Sequence, residues 1–350
     1  MKLAIHHRPE SFSEYWISWC EKENIDFKIV NAYDTDIISS LSDCDGLLWH
    51  WHHNNYADQL IAKHLTHSLE AAGKKVFPNT STAWHFDNKV AQKYLLEAID
   101  FPVINSFCFY TKKDAIEWVN TAKFPLVFKL KGGSGSRNVQ LVKNKKEALA
   151  LIKKAFGKGF PPSSLFAAAK QKLWEFKRDK EVRNLYTALY YFCGALINAK
   201  TKASLYRTND IGYIYFQEFI PENSFDDRII IIGERCFCVR RHCRDNDFRA
   251  SGSGVAKYDH TIFPIESIKL AFSLAKKIKS QSLAMDIIYD HHNTPKIVEI
   301  SYGFITGPFY EKCDGYWDSN LVWHDKKVTP QYFIIEDFVN SLSSAKDAKK

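Results

Sequence analysis

Residues Pro125–Val142 read PLVFKLKGGSGSRNVQLV. Apolar residues at 126–128 and 139–142 predict two strands, and Gly132, Gly133, Ser134 and Gly135 predict a glycine-rich turn joining them. Lys129 and Lys131 close the first strand. A cation at a strand end, followed by small residues, can bring an ammonium group and several backbone N–H groups onto a polyphosphate. The stretch is not a P-loop, because the lysines precede the glycines and no GxxxxGK[ST] occurs. Taken alone, it is equally a hairpin whose turn is rich in glycine.

It does not stand alone. Tyr215–Gly254 reads YFQEFIPENSFDDRIIIIGERCFCVRRHCRDNDFRASGSG, and AMDIIYD (Ala284–Asp290) and KIVEISYG (Lys296–Gly303) follow. Upstream, DNK (Asp87–Lys89) opens the amphipathic helix KVAQKYLLEAI. In order and wording this series resembles the ATP-grasp superfamily from Asp87 to Gly303, most closely the branch containing the ribosomal-protein glutamate ligases. The resemblance implies an ATP-grasp fold with an N-terminal open parallel-sheet domain (1–86) and two α+β subdomains enclosing ATP. The small subdomain would span 87–215, the large one 216–340, and 341–350 would be a flexible tail. Strands alternating with helices before residue 86 also suggest the parallel sheet directly.

Carried over residue by residue, the resemblance makes Lys89 and Lys129 the phosphate lysines, with Lys131 competing with Lys129. Gly132, Gly133, Ser134 and Gly135 would form a lid that excludes water during phosphoryl transfer. The main chain of Gln217, Glu218, Phe219 and Ile220 would read adenine, through the Glu218 carbonyl and the Ile220 N–H. Asp226 sits where the family has an acid near the ribose, and Asp227 could substitute. Arg228, Arg241 and Arg249 resemble the basic residues around the γ-phosphate and the incoming carboxylate, where planar guanidinium donors hold two oxygens at once. Strand alternation sends Arg240 to the opposite face from Arg241, toward solvent.

Asp286 and Glu299 lie on two expected apolar strands joined by the polar turn Asp290–Pro295, which can place their carboxylates side by side. Such a pair, with triphosphate oxygens and water, suits one or two Mg²⁺ ions, for which Mn²⁺ can substitute as a hard-oxygen ion. The family has Asn two residues after the Glu; here the position holds Ser301, a weaker third ligand.

The implied reaction is an ATP- and Mg²⁺-dependent ligation of a carboxylate to an amine through an acyl phosphate. QEFIPENSFDDR, NDFRASGSG, VEISYGF and the GYWD tail look like ATP-grasp proteins associated with bacterial surface-polysaccharide synthesis, so a sugar carboxylate is the expected acceptor class. A kinase acting on a hydroxyl and a catalytically weak nucleotide-binding regulator are the rival readings, the latter favoured by Ser301. His6, His7, His50, His52, His53, Tyr302, Tyr316, Trp317, Trp323 and His324 are expected to face the acceptor. A metal site in the His50–His53 cluster is the sharper alternative.

Composition bounds the rest. Of 350 residues, 45% are hydrophobic and 15% aromatic, enough for two or three domain cores and against disorder. Eight cysteines without a CxxC pair disfavour a zinc ribbon and point to a reducing, cytoplasmic setting. The start, MKLAIHHRPE, lacks the apolar core of a signal peptide. Asn184–Ala199, the nearest approach to a membrane span, is short and broken by Asn and Gly. The net charge is +8, and residues 158–207 alone hold ten Lys or Arg against three acids. No helix-turn-helix, zinc-finger or RNP pattern accompanies that charge, so nucleic acid is not an expected partner. The segment reads as a helical insertion meeting an anionic membrane surface, a lipid-linked substrate or a partner, or else as a solvated basic face with its aromatics packed on the enzyme core.

Overall fold

A computed structural model of the chain describes residues 1–132, 139–161, 165–197, 208–243, 247–250, 254–307 and 309–347. The chain forms two compact units, one of residues 1–104 with 220–350 and one of residues 105–219.

The first unit begins with β1 (Lys2–His6), α1 (Phe12–Lys22), β2 (Asp26–Val30), α2 (Ile37–Ser40), β3 (Gly46–Leu48), α3 (Tyr56–Ala71), β4 (Lys75–Phe77) and α4 (Thr80–Ala83). Its four strands form the expected parallel sheet, in the order β2-β1-β3-β4. Ser11, Asn55 and Asn79 start α1, α3 and α4 by accepting hydrogen bonds from N–H groups of the first turn. α5 (Lys89–Ala98) follows, capped by Asn88.

The second unit contains β5 (Ser106–Phe109), α6 (Lys112–Val119), β6 (Leu126–Lys129), β7 (Val139–Val142), α7 (Lys145–Ala155), α8 (Leu165–Asp179), α9 (Val182–Leu196) and β8 (Ile214–Glu218). The strands form an antiparallel sheet in the order β5-β8-β6-β7. Leu126, Phe128, Ile214 and Phe216 alternate onto one face and pack with Ala115, Val119, Ala148 and Ile152 of α6 and α7. The opposite face carries Ser106, Lys129 and Gln217.

The first unit resumes with β9 (Phe225–Ile232), β10 (Arg235–His242), β11 (Ala256–Lys257), α10 (Ile265–Lys277), β12 (Ser282–Tyr289), β13 (Pro295–Ser301), β14 (Tyr316–Asp318), β15 (Trp323–His324) and α11 (Pro330–Asp347). Here the sheet order is β13-β12-β9-β10-β14-β15, with β11 paired to β10. Gly233, at φ +55°, turns β9 into β10 where Asp337 of α11 approaches too closely for a Cβ.

Three expected boundaries move. Residues 87–104 belong to the first unit, because Ile297 of β13 bonds to Pro102 and Ile104 at 2.8 and 3.1 Å and α5 packs on the same strand. A division at 215/216 would cut β8, whose five residues pair with β5 and β6. Nor do residues 1–86 have a separate core: Leu3, Ile5, Trp49 and Phe77 share one cluster with Ile230, Phe237, Val239 and Ala284. α11 also runs through most of the expected tail, to Asp347, with Phe338 and Leu342 buried in that cluster.

Candidate functional site

β9 reads FDDRIIII, and its alternation decides what each face of the long sheet does. Ile229 and Ile231 join Met285, Ile287 and α10 in one core. Ile230 and Ile232 face the core shared with the N-terminal sheet. Along that second face, toward the start of β9, the apolar residues give way to Asp226 and Arg228.

Register assembles the rest. Arg228 stands opposite Asp286 on β12, and Asp286 opposite Glu299 on β13. Arg241 on β10 stands opposite Asp226. The Arg228 guanidinium donates to both oxygens of Asp286 at 2.7 and 2.8 Å. Arg241 donates to both oxygens of Asp226 at 2.6 and 2.7 Å and pairs with Asp286 at 2.8 Å. Lys89, the first residue of α5, reaches Glu299 at 3.2 Å. Three cations and three carboxylates thus share one face, with Lys89, Arg241 and Asp286 each less than 8% exposed. Gln92, one turn along α5, accepts from the Ile300 N–H at 3.2 Å and donates to the His85 carbonyl, fixing the helix start against β13.

The electrostatics follow from this packing. Burial alone would raise the Asp286 carboxyl, but Arg228 and Arg241 outweigh it and hold the group well below the usual carboxylate range. For Asp226, burial and the neighbouring Asp286 prevail over Arg241, and its carboxyl is pushed up. Tyr310 is fully buried beside Arg228; burial raises its phenol and the guanidinium charge opposes that rise.

The other face of the same strands carries a second fork. Arg240 donates to both oxygens of the fully buried Asp227 at 2.7 and 2.9 Å, stacks 3.8 Å over Phe225, and shares Asp227 with the Tyr289 hydroxyl at 2.7 Å. The alternation expected for Arg240 is present, but the side chain is not solvated: Asp227, directly opposite across β9/β10, draws it inward. Asp227 accordingly lies away from Asp226 and cannot stand in for it. Asn223 ties the two strand ends together, with its amide donating to the Tyr289 carbonyl and its side-chain oxygen accepting the Tyr289 N–H, both at 3.0 Å.

In the second unit, Lys129 is buried and donates to Gln217 at 2.6 Å, and the Gln217 amide donates to Ser106 at 3.1 Å. Lys131 lies past the strand end, exposed, 3.5 Å from Asp210, with its N–H donating to the Tyr213 hydroxyl at 2.9 Å. The Glu218 N–H is taken by the Asn105 carbonyl at 2.9 Å, while Phe219 and Ile220 fall on either side of the division between the units. Gly132 ends the described part of its turn; Gly133, Ser134 and Gly135 lie outside the described residues.

Arg249 pairs with Asp247, two residues before it, at 2.6 Å. The Ser301 hydroxyl donates to the Gly303 carbonyl at 2.8 Å and accepts the Gly303 N–H at 3.2 Å, which commits it to the turn after β13. Asp286 and Glu299 are left as two carboxylates in register on adjacent strands. Two carboxylates suit Mg²⁺, which takes its other ligands from phosphate and water. Among the described residues no cluster of three or more His, Cys, Asp or Glu could hold a metal alone.

Several side chains expected to face an acceptor are structural. His50 stacks on Phe12 at 3.7 Å and bonds to Ser11 at 3.2 Å, Tyr302 is fully buried with its hydroxyl donating to the Trp51 carbonyl, and Trp317 is buried in a core. Gln92, Asn223 and Tyr310 escape sequence reading. Only Gln92 leaves a signal, since 89, 92 and 96 are the buried positions of α5 at helical spacing.

No protein-family model matches the chain, and no curated protein sequence matches it. Solved structures do match in fold, and they define the class: this chain has the ATP-grasp fold. The structure of the D-cycloserine synthetase DcsG superposes with a TM-score of 0.58 at 9% identity, covering 98% of this chain and 100% of that one. The RimK domain ATP-grasp protein from Sphaerobacter thermophilus DSM 20745 gives 0.51 at 14% identity, covering 86% and 90%. The macrocyclase MdnC from Microcystis aeruginosa MRC, bound with its precursor peptide MdnA, gives 0.55 at 12% identity, covering 97% and 100%.

Proposed function

We propose that the protein is an ATP-dependent ligase that activates a carboxylate by phosphorylation and joins it to an amine. The observation that carries this reading is the face on which Lys89, Arg228 and Arg241 meet Asp286 and Glu299 in register, within an ATP-grasp fold. Asp286 and Glu299 would hold Mg²⁺, which when bound offsets triphosphate charge. Lys89 and Lys129 would bind phosphate oxygens, and Arg228 and Arg241 would orient the γ-phosphate against the carboxylate.

In balance, a carboxylate oxygen attacks the γ-phosphorus, the bond to the β-bridging oxygen breaks, and ADP departs. The amine nitrogen then attacks the acyl carbon, phosphate leaves, and the amine gives up a proton. These side chains contribute positioning and fixed charge, which act without reorganisation in a water-poor site. Gly132–Gly135 would cover the phosphates, and the Gln217–Ile220 main chain would receive adenine. The wording around 217–228 and 247–254 supports a sugar carboxylate of a surface-polysaccharide precursor as the acceptor. Ser301, committed to its own turn, favours the second reading, a nucleotide-binding regulator.

Mass spectrometry of products after incubation with Mg²⁺, ATP and pooled amines and uronic acids separates the readings, with Lys129→Ala as control. A product lighter than its two substrates by one water, formed only by the wild type, supports the ligase. ATP-dependent addition of phosphate to a stable product indicates a kinase, and absence of any product from every pool favours the regulator.

A further inference from the structure

α9 reads VRNLYTALYYFCGAL and is apolar on two opposite sides. α8 packs along the side that buries Asn184, Ala188 and Ala195, where small residues permit close approach. Half a turn away, Val182, Tyr186, Leu189, Tyr190 and Leu196 are 52 to 75% exposed, and Ile197 at the C-cap is 78% exposed. At steps of four, three, one and six residues they form one strip along the whole 15-residue helix. Tyr186 and Tyr190 are therefore not packed on a core, and none of the buried residues of α9 belongs to the core of the second unit. A helix that is apolar all round is ordinarily covered, and a contiguous exposed strip of this kind marks a contact surface.

We propose that this strip is a lipid-facing surface that seats the protein on a bilayer bearing anionic headgroups. Charge decides the occupant. Residues 158–207 hold ten Lys or Arg against three acids, so nearly all of the chain's +8 falls here, and Lys170, Lys177, Lys180 and Arg183 are exposed on the helix pair. Two copies meeting through this strip would oppose like charges, whereas an anionic bilayer offers apolar depth and opposite charge together. Tyr186 and Tyr190 combine an apolar ring with a hydroxyl, which suits the headgroup level. The contact lies flat. At about 1.5 Å per residue the helix is shorter than a bilayer core, and no described helix is long and apolar enough to cross a membrane. This is the geometry of an interfacial amphipathic helix.

Flotation of the full-length protein with phosphatidylcholine vesicles, and with vesicles that also contain phosphatidylglycerol, tests the proposal. The wild type should partition at least about ten-fold more onto the anionic vesicles, and salt should weaken that binding. Leu189→Ser with Tyr190→Ser, and separately Lys177→Glu with Lys180→Glu, should each lower it about ten-fold. Both pairs are exposed, and an unchanged circular dichroism spectrum and melting temperature show that the fold survives. Equal partition onto both vesicle types, or unaltered binding by the serine variant, would overturn the proposal. So would a wild-type dimer that this variant dissociates, or binding to soluble polyglutamate without retention on vesicles, the mark of an acidic protein partner.

Discussion

Arg240→Met and Arg241→Met alter neighbouring residues on one strand, and they are expected to fail in different ways. Arg240 gives Asp227 two hydrogen bonds at 2.7 and 2.9 Å and gives the Ile262 carbonyl a third at 3.0 Å. At a charge separation of about 4 Å and an effective dielectric near 20, the pair is worth about 4 kcal/mol of Coulomb energy. Removing one partner leaves a fully buried carboxylate, which costs about 3–5 kcal/mol. Tyr289 still donates to Asp227 at 2.7 Å, so a loss of about 3 kcal/mol, the lower part of that range, is expected. Arg241→Met removes a guanidinium that the neighbouring Arg228 repels, while Asp286 keeps Arg228. Its stability cost should be only about 1–2 kcal/mol, with ATP-dependent turnover falling at least about 100-fold. Guanidinium unfolding followed by tryptophan fluorescence reads the first difference, since seven of the nine tryptophans lie in the first unit. A loss below about 1 kcal/mol for Arg240→Met, the value of a surface pair, would refute the assignment of the two faces. An Arg241→Met enzyme with full turnover would refute it equally.

Gly233→Ala places a Cβ against the Asp337 carboxylate in a residue at φ +55°, and should cost at least about 2 kcal/mol in the same unfolding assay. Acid should weaken the first unit through His6, which burial and then Arg8 lower from 6.5 to about 4 while its ring accepts the Ala32 N–H at 3.0 Å. A folded value below the unfolded one means that the neutral ring's contribution is complete above pH 6.5 and is lost as pH falls toward 4, by about 3 kcal/mol. Melting temperatures measured across that window should fall less steeply in His6→Asn.

Asp226, Arg228 and Arg241 were legible through the resemblance of their surroundings to ATP-grasp motifs, and the pairing of β9 with β10 sets them on one face; the short polar turn after Asp290, legible in the sequence itself, sets Glu299 opposite Asp286. The destination of Arg240 was not legible, because it depends on a partner on another strand rather than on its own neighbours. The N-terminal sheet's fusion with the core of the long sheet was hidden for a related reason: Trp49 and Phe77 do not show which distant apolar face will cover them. The histidines of WHWHHN suggested chemistry because histidine so often supplies it, yet Phe12 and Ser11 hold His50 in a packing role. In the segment 158–207 the basic charge was visible in the sequence, but the exposed strip on α9 emerges only once α8 is seen to occupy the opposite side.

Calorimetric titration of the full chain with ATP, with and without Mg²⁺, tests the role of the Lys89–Glu299 and Arg228–Asp286 face most directly. The wild type should bind ATP at least about ten-fold more tightly with Mg²⁺. Glu299→Gln should lose that gain while binding metal-free ATP as well as the wild type or better, since a carboxylate beside the phosphates is gone and Lys89 is released. Equal affinity with and without Mg²⁺ in both proteins, or no ATP binding by the wild type, would contradict the assignment of this face to a metal-bound triphosphate.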